Sequence, residues 1–108
     1  MNVAVAEVGG NLRTFARMEE AWTASIDIAQ SKANTSAALG FSTGDLAGMT
    51  QPGQPLFSLN TTNNGRIVVF AGGIPLMRDG KVVGAVGVSG GTVDQDQEVA
   101  EAGVAVFG

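Results

Sequence analysis

The sequence contains no cysteine, no histidine and no tyrosine. Without thiols there are no disulfides and no thiolate nucleophiles; without imidazole, Ser-His-Asp triads and the usual zinc sites are excluded. Charge is also sparse, with six Lys and Arg against ten Asp and Glu, a net charge of −4. No run of basic residues occurs, so the footprint of a nucleic-acid or anionic-membrane binder is missing. No apolar run approaches the ~20 residues needed to span a bilayer. The N-terminus lacks the basic-then-apolar layout of a signal peptide. The chain reads as cytoplasmic, with neither nucleic acid nor membrane as a partner.

What is present is small and apolar. The 108 residues are 44% hydrophobic and include 16 glycines, which fits a single domain over residues 1–108 and neither a disordered tail nor a coiled coil. Such a domain buries roughly 60–70% of its unfolded surface, enough for one core with little to spare.

Along the chain, Asn2 to Val8 alternates yet is apolar on both sides, the pattern of a strand covered on both faces. Gly9-Gly10-Asn11 is a turn, and Leu12 to Arg17 reads as the returning strand. From Met18 to Leu39 the period changes. Trp22, Ile26, Ala29, Ala33 and Ala37 recur at helical spacing, and Gly40 is a natural stop. Ser42 to Asp45 is a capping start for a short helix to Met49. Residues 50–65 are rich in turn signals and read as an ordered loop burying Leu56, Phe57 and Leu59. Arg66 to Ala71 is β-rich. Asp79-Gly80, between Ile74–Met77 and Lys81–Ser89, is the strongest hairpin signal in the chain. Thr92 caps a last helix to Phe107, with Gln95 at the capping-box position. The expected architecture is α+β, a layered domain with a mostly antiparallel five-stranded sheet packed with helices.

Three segments carry candidate chemistry. Gly87-Val88-Ser89-Gly90-Gly91 matches a nucleophile elbow in outline, but no base exists to activate Ser89. The overlapping segment Ser89-Gly90-Gly91-Thr92 is either an anion site at a helix N-terminus or a tight turn with a capping threonine. Gly72-Gly73-Ile74-Pro75 is either a pocket wall of bare backbone or a β-bulge. Lys32 is the only cation between Arg17 and Arg66; from its setting alone it reads as a solvated flank ahead of a catalytic amine. Gly84 and Gly87, on opposite sides of one strand, read as places where helices pack closely.

Taken together, the stretch from Ala24 to Ala33, Gln51-Pro52-Gly53, Asn64-Gly65-Arg66, Gly72 to Pro75, Gly80, Gly84, and Gly87 to Thr92 with Asp96 resemble the GlcG/HbpS-like proteins. Among these the pattern is most similar to the C-terminal domain of PduO, which accompanies propanediol-utilisation adenosyltransferases. The resemblance implies a profilin-like fold, a homo-oligomer (a dimer or a multiple of dimers), and haem or another tetrapyrrole as ligand. It also implies a place in propanediol and corrinoid metabolism, with an adenosyltransferase or microcompartment partner, and the microcompartment as an alternative location. It further implies a helix ahead of the first strand, whereas Met1 here stands almost inside that strand. The expected cofactor-binding residues are Lys32, Gly72, Gly73, Ile74, Pro75, Ser89, Gly90, Gly91 and Thr92, converging on one pocket, with no catalytic residue and no metal ligand. The His-bearing region that ligates iron in haem-binding relatives has no counterpart, so haem would be held weakly, in the micromolar range or above. An accessory or assembly domain that binds partner chains and no cofactor is the alternative.

Overall fold

The computed structural model describes residues 1–107. Two strands, β1 (Asn2–Glu7) and β2 (Leu12–Arg17), precede helices α1 (Ala24–Leu39) and α2 (Thr43–Met49). After a long connection come β3 (Gly73–Arg78), β4 (Lys81–Ser89) and α3 (Val93–Phe107). The strands form one sheet of four, ordered β2-β1-β4-β3, and every pairing is antiparallel. The α+β class and antiparallel sheet therefore stand, but with four strands where five were expected.

The missing strand is Arg66 to Ala71. Its residues suit a sheet, yet it is tied to a helix instead: Val68 N–H donates to the Thr35 hydroxyl on α1, at 3.0 Å, and Arg66 N–H closes a turn on the Asn63 carbonyl. The segment lies against α1 and joins the sheet only at Gly72, whose carbonyl accepts from Val88 N–H.

The two long helices cover opposite faces of the sheet. Alternation along β4 sends Ala85 and Gly87 one way and Val86 and Val88 the other. On the first side, Ala4 and Ala6 of β1 pack on Ala29 and Ala33 of α1 in a core of small residues, with Phe15 at its margin. Gly87 lets α1 sit this close. A Cβ there would overlap the Ala29 carbonyl oxygen and stand 2.5 Å from the Ala33 nitrogen. On the other side Leu76, Val86 and Val88 meet Ala100 of α3. Gly84 faces the other way, but a Cβ there would stand 2.6 Å from the Ala6 carbonyl oxygen of β1 and 3.7 Å from Leu76, with no helix among its nearest neighbours. The reading of close helix packing holds at Gly87 and not at Gly84.

Several local readings are corrected. Strand β1 is buried on the α1 side, through Asn2, Ala4 and Ala6, but only half-buried at Val3 and Val5, because α3 lies over β3 and β4. The first helix starts at Ala24 and not at Met18. Glu20 takes a left-handed φ of 63°, and Arg17 ties the turn by donating to the Ala21 carbonyl at 3.0 Å. Trp22 is thereby left outside the helix, 70% exposed. Leu56 and Phe57 in the long loop are exposed rather than buried.

Elsewhere the local chemistry acts as its residues dictate. Asp79 and Gly80 both take positive φ, 54° and 76°, as a two-residue hairpin turn requires. Thr92 and Gln95 form a reciprocal capping box, Thr92 N–H to Gln95 Oε1 at 3.0 Å and Gln95 N–H to Thr92 Oγ1 at 3.1 Å.

Candidate functional site

Lys32, the Gly72 loop and the Ser89–Thr92 loop are brought together, but around a closed ion pair. Lys32 projects from α1 past the end of the sheet and is fully buried. Its Nζ donates to the Val88 carbonyl at 2.8 Å and to Asp96 Oδ2 on α3 at 3.0 Å. The reading of Lys32 as a solvated flank fails here, because its charge is enclosed and its long stem crosses between two helices. Burial pushes the Lys32 ammonium below the ordinary lysine value of 10.5, while the hydrogen bond and charge of Asp96 oppose that push.

The neighbouring backbone is shaped by this pair. Gly72, at φ 126°, has room for no side chain: a Cβ would stand 2.6 Å from Lys32 Nζ and from the Val88 carbonyl oxygen. Its N–H donates to Gln97 Oε1 at 3.2 Å, and that of Gly73 to Thr43 Oγ1 at 2.8 Å. Asp96 turns its second oxygen, Oδ1, to accept from Gly91 N–H at 2.9 Å. Ser89 is buried, its hydroxyl bonded to that of Ser25 at 3.2 Å. The amides of Gly91 and Thr92, on which the anion reading rested, are thus engaged within the chain. Thr92 and Gly91 are exposed, while Ile74, Pro75 and Gly90 are half-buried. Sequence reasoning missed Asp96, Gln97 and Thr43 as the partners of these loops. The capping position of Thr92 marked where α3 starts, but nothing local marked which acid would reach back to Lys32.

An open cavity lies one helical turn away. A groove of about 320 Å³ separates α1 from the incoming segment, with Asp27, Ile28 and Ser31 on one wall and Asn60, Gly65 and Ile67 to Phe70 on the other. Its lining is largely aliphatic and aromatic, and Asp27 carries its only charge. The groove and the ion pair share one residue contact: the Phe70 ring centroid stands 4.9 Å from Lys32 Nζ. No motif pointed to this groove, because its walls are brought together from distant parts of the chain. Among the described residues no cluster of His, Cys, Asp and Glu could hold a metal ion, and no helix is long and apolar enough to cross a membrane.

A four-stranded antiparallel sheet with a long helix on each face, clasped at one end by a buried ion pair, defines a small α+β domain. The chain belongs to the HbpS-like family, described as haem degrading protein HbpS-like, which matches residues 1–105. It is 45% identical over 104 residues to a 15.0 kDa protein of the dhaT-dhaS intergenic region of Citrobacter freundii, covering 96% of this chain and 73% of that one. It is 36% identical over 105 residues to the corrinoid adenosyltransferase PduO of Salmonella typhimurium, where it covers 97% of this chain but only 31% of PduO. The crystal structure of a PduOC–haem complex superposes with a TM-score of 0.93 at 36% identity, over 96% of this chain and 75% of that one.

Proposed function

We propose that this chain is a small, non-catalytic module that binds haem or a related tetrapyrrole and works as a homo-oligomer. The observation carrying this reading is the close match in sequence and backbone to a domain crystallised with haem. The groove beside α1 supports it, since Ile28, Ile67, Val68, Val69 and Phe70 offer an apolar wall to a flat ring. Its volume falls at the lower end of the ~300–1,000 Å³ usual for small-ligand sites, so it seats one edge of a macrocycle. None of the nine expected contact residues lines this groove. Lys32 reaches it only through the Phe70 ring, Gly72, Gly73 and Ser89 are buried, and Ile74 packs in the core on the α3 side of the sheet.

The groove does not fit the iron. Its only side-chain donors are oxygen and amide groups, from Asp27, Ser31 and Asn60, and it holds none of the His, Cys, Tyr or Met ligands usual for haem. Binding then rests on apolar contact, with an affinity of roughly micromolar or weaker. The similarity to PduO supports a place in propanediol or corrinoid metabolism, beside an adenosyltransferase or inside a microcompartment.

Titration with haemin, followed in the visible spectrum, tests the reading. A broad, saturable Soret change at micromolar haemin, weakened by Ile28→Asp, is the expected result. A sharp low-spin band titrating at nanomolar haemin would contradict weak, ligand-free binding. No spectral change at all would leave the accessory reading, a partner-binding domain without cofactor, which the internally engaged amides of Gly91 and Thr92 favour.

A further inference from the structure

We propose that a second copy of this chain docks on the loop that carries Leu56 and Phe57, at the rim of the groove. The proposal deepens the oligomeric part of the reading above by naming the face. Residues 46–65, twenty in succession, contain no Asp, Glu, Lys or Arg, the longest uncharged stretch in the chain. Within it Leu56 is 38% and Phe57 58% exposed. Depletion of charge around exposed aromatic side chains distinguishes the centre of a protein interface from ordinary surface.

The loop is built to hold these side chains out. Leu56 N–H donates to the Met49 carbonyl at 3.1 Å, Phe57 N–H to Gln54 at 3.1 Å, and Leu59 N–H to Leu56 at 3.0 Å. Ser58 is kept at a left-handed φ of 74°, a conformation that costs free energy in a non-glycine residue and that the surrounding turns sustain. Leu56 and Phe57 themselves wall a shallow hollow of about 330 Å³, which Pro55, Leu59, Thr61 and Thr62 complete.

A second copy is the occupant this surface fits. Each copy carries a net charge of −4, so two copies approach with least repulsion where neither presents charge. A charged partner finds nothing here to pair with. A projecting ring beside a hollow is self-complementary under a two-fold axis, which places the same patch on both sides of the contact. The contact would also bear on the groove, because Asn60 lines the groove while its neighbours Leu59 and Thr61 line the hollow.

The test is light scattering after gel filtration on the full chain. The unmodified protein is expected at twice 10.9 kDa or a multiple of it. Phe57→Asp, with an unchanged circular dichroism spectrum, is expected at half the dimer mass, and an equimolar mixture with Phe57→Lys is expected to restore the dimer. Val106→Asp, at the most exposed large apolar residue (86%), should leave the assembly intact. If the unmodified chain is monomeric, this proposal and the oligomeric reading fall together. If it is oligomeric and both Phe57 variants keep its mass, only the face is wrong. Should Phe57→Asp not fold, the milder Phe57→Ser takes its place, with loss of the dimer again expected and an unchanged mass again overturning the face.

Discussion

Lys32 Nζ and Asp96 Oδ2, 3.0 Å apart and both buried, join the two helices that lie on opposite faces of the sheet. Neither charge reaches water, so each depends on the other. Removing one partner of such a pair leaves an uncompensated buried charge at a cost of about 3–5 kcal/mol, whereas replacing both by apolar groups is often nearly neutral. Asp96→Ala also frees the Gly91 amide. Urea unfolding is expected to show a large loss for Asp96→Ala and a much smaller one for Lys32→Met/Asp96→Leu. A double-variant loss equal to the Asp96→Ala and Lys32→Met losses added together would mean that the pair is not coupled.

The same pair predicts a pH dependence. In the unfolded chain Lys32 titrates at its ordinary 10.5, and in the folded protein burial lowers that value. Between the two values the unfolded chain binds more protons, so stability rises with pH across that window, and below it the penalty is present in full. The urea midpoint should therefore rise from neutral pH toward about pH 9.5 more steeply in the unmodified protein than in the Lys32→Met/Asp96→Leu variant, which has no proton to lose there. Parallel slopes would show that Lys32 keeps its ordinary affinity for the proton.

Gly87 sets the distance between α1 and the sheet. A side chain there meets the backbone of Ala29 and Ala33, and backbone cannot move aside as a flexible side chain does. Gly87→Ala is expected to cost at least the ~1–3 kcal/mol typical of overpacking, whereas Gly48→Ala, where a Cβ meets nothing within 4 Å, is expected to be near neutral or stabilising. Thermal unfolding of the two variants reads the difference directly.

Local signals were legible where the partners are near in sequence. Asp79-Gly80 announced its hairpin, Thr92 and Gln95 their capping box, and the spacing of Ala29, Ala33 and Ala37 the buried face of α1. Failures occurred where distant partners decide. The helical period reads from Met18, but the contacts of Arg17 and Met18 with Ala21 and Met1 hold the chain in a turn up to Thr23. Lys32 looked solvated because nothing nearby reveals Asp96, 64 residues on. The groove was invisible for the same reason, since α1 and the segment after Asn60 meet only in the fold.

Thr35 explains both the misread strand and the groove wall. Its hydroxyl donates to the Ser31 carbonyl at 2.7 Å and accepts from Val68 N–H at 3.0 Å, anchoring the segment from Ile67 to Phe70 to α1. Thr35→Val keeps the shape but removes the acceptor, leaving the half-buried Val68 amide unpaired at a cost of ~1 kcal/mol, the lower end for such a loss because water can reach it in part. Thr35→Ser keeps the hydroxyl and should behave nearly as the unmodified chain. Amide exchange provides the readout: Val68 and its neighbours are expected to exchange faster in Thr35→Val, while amides at the β1–β4 ladder change only by the global loss of stability. Haemin affinity should fall in the same variant, since the wall carrying Val69 and Phe70 is no longer fixed. Unchanged exchange at Val68 would show that the segment is held by packing of Ile67 alone, and the hydroxyl would then have no part in shaping the groove.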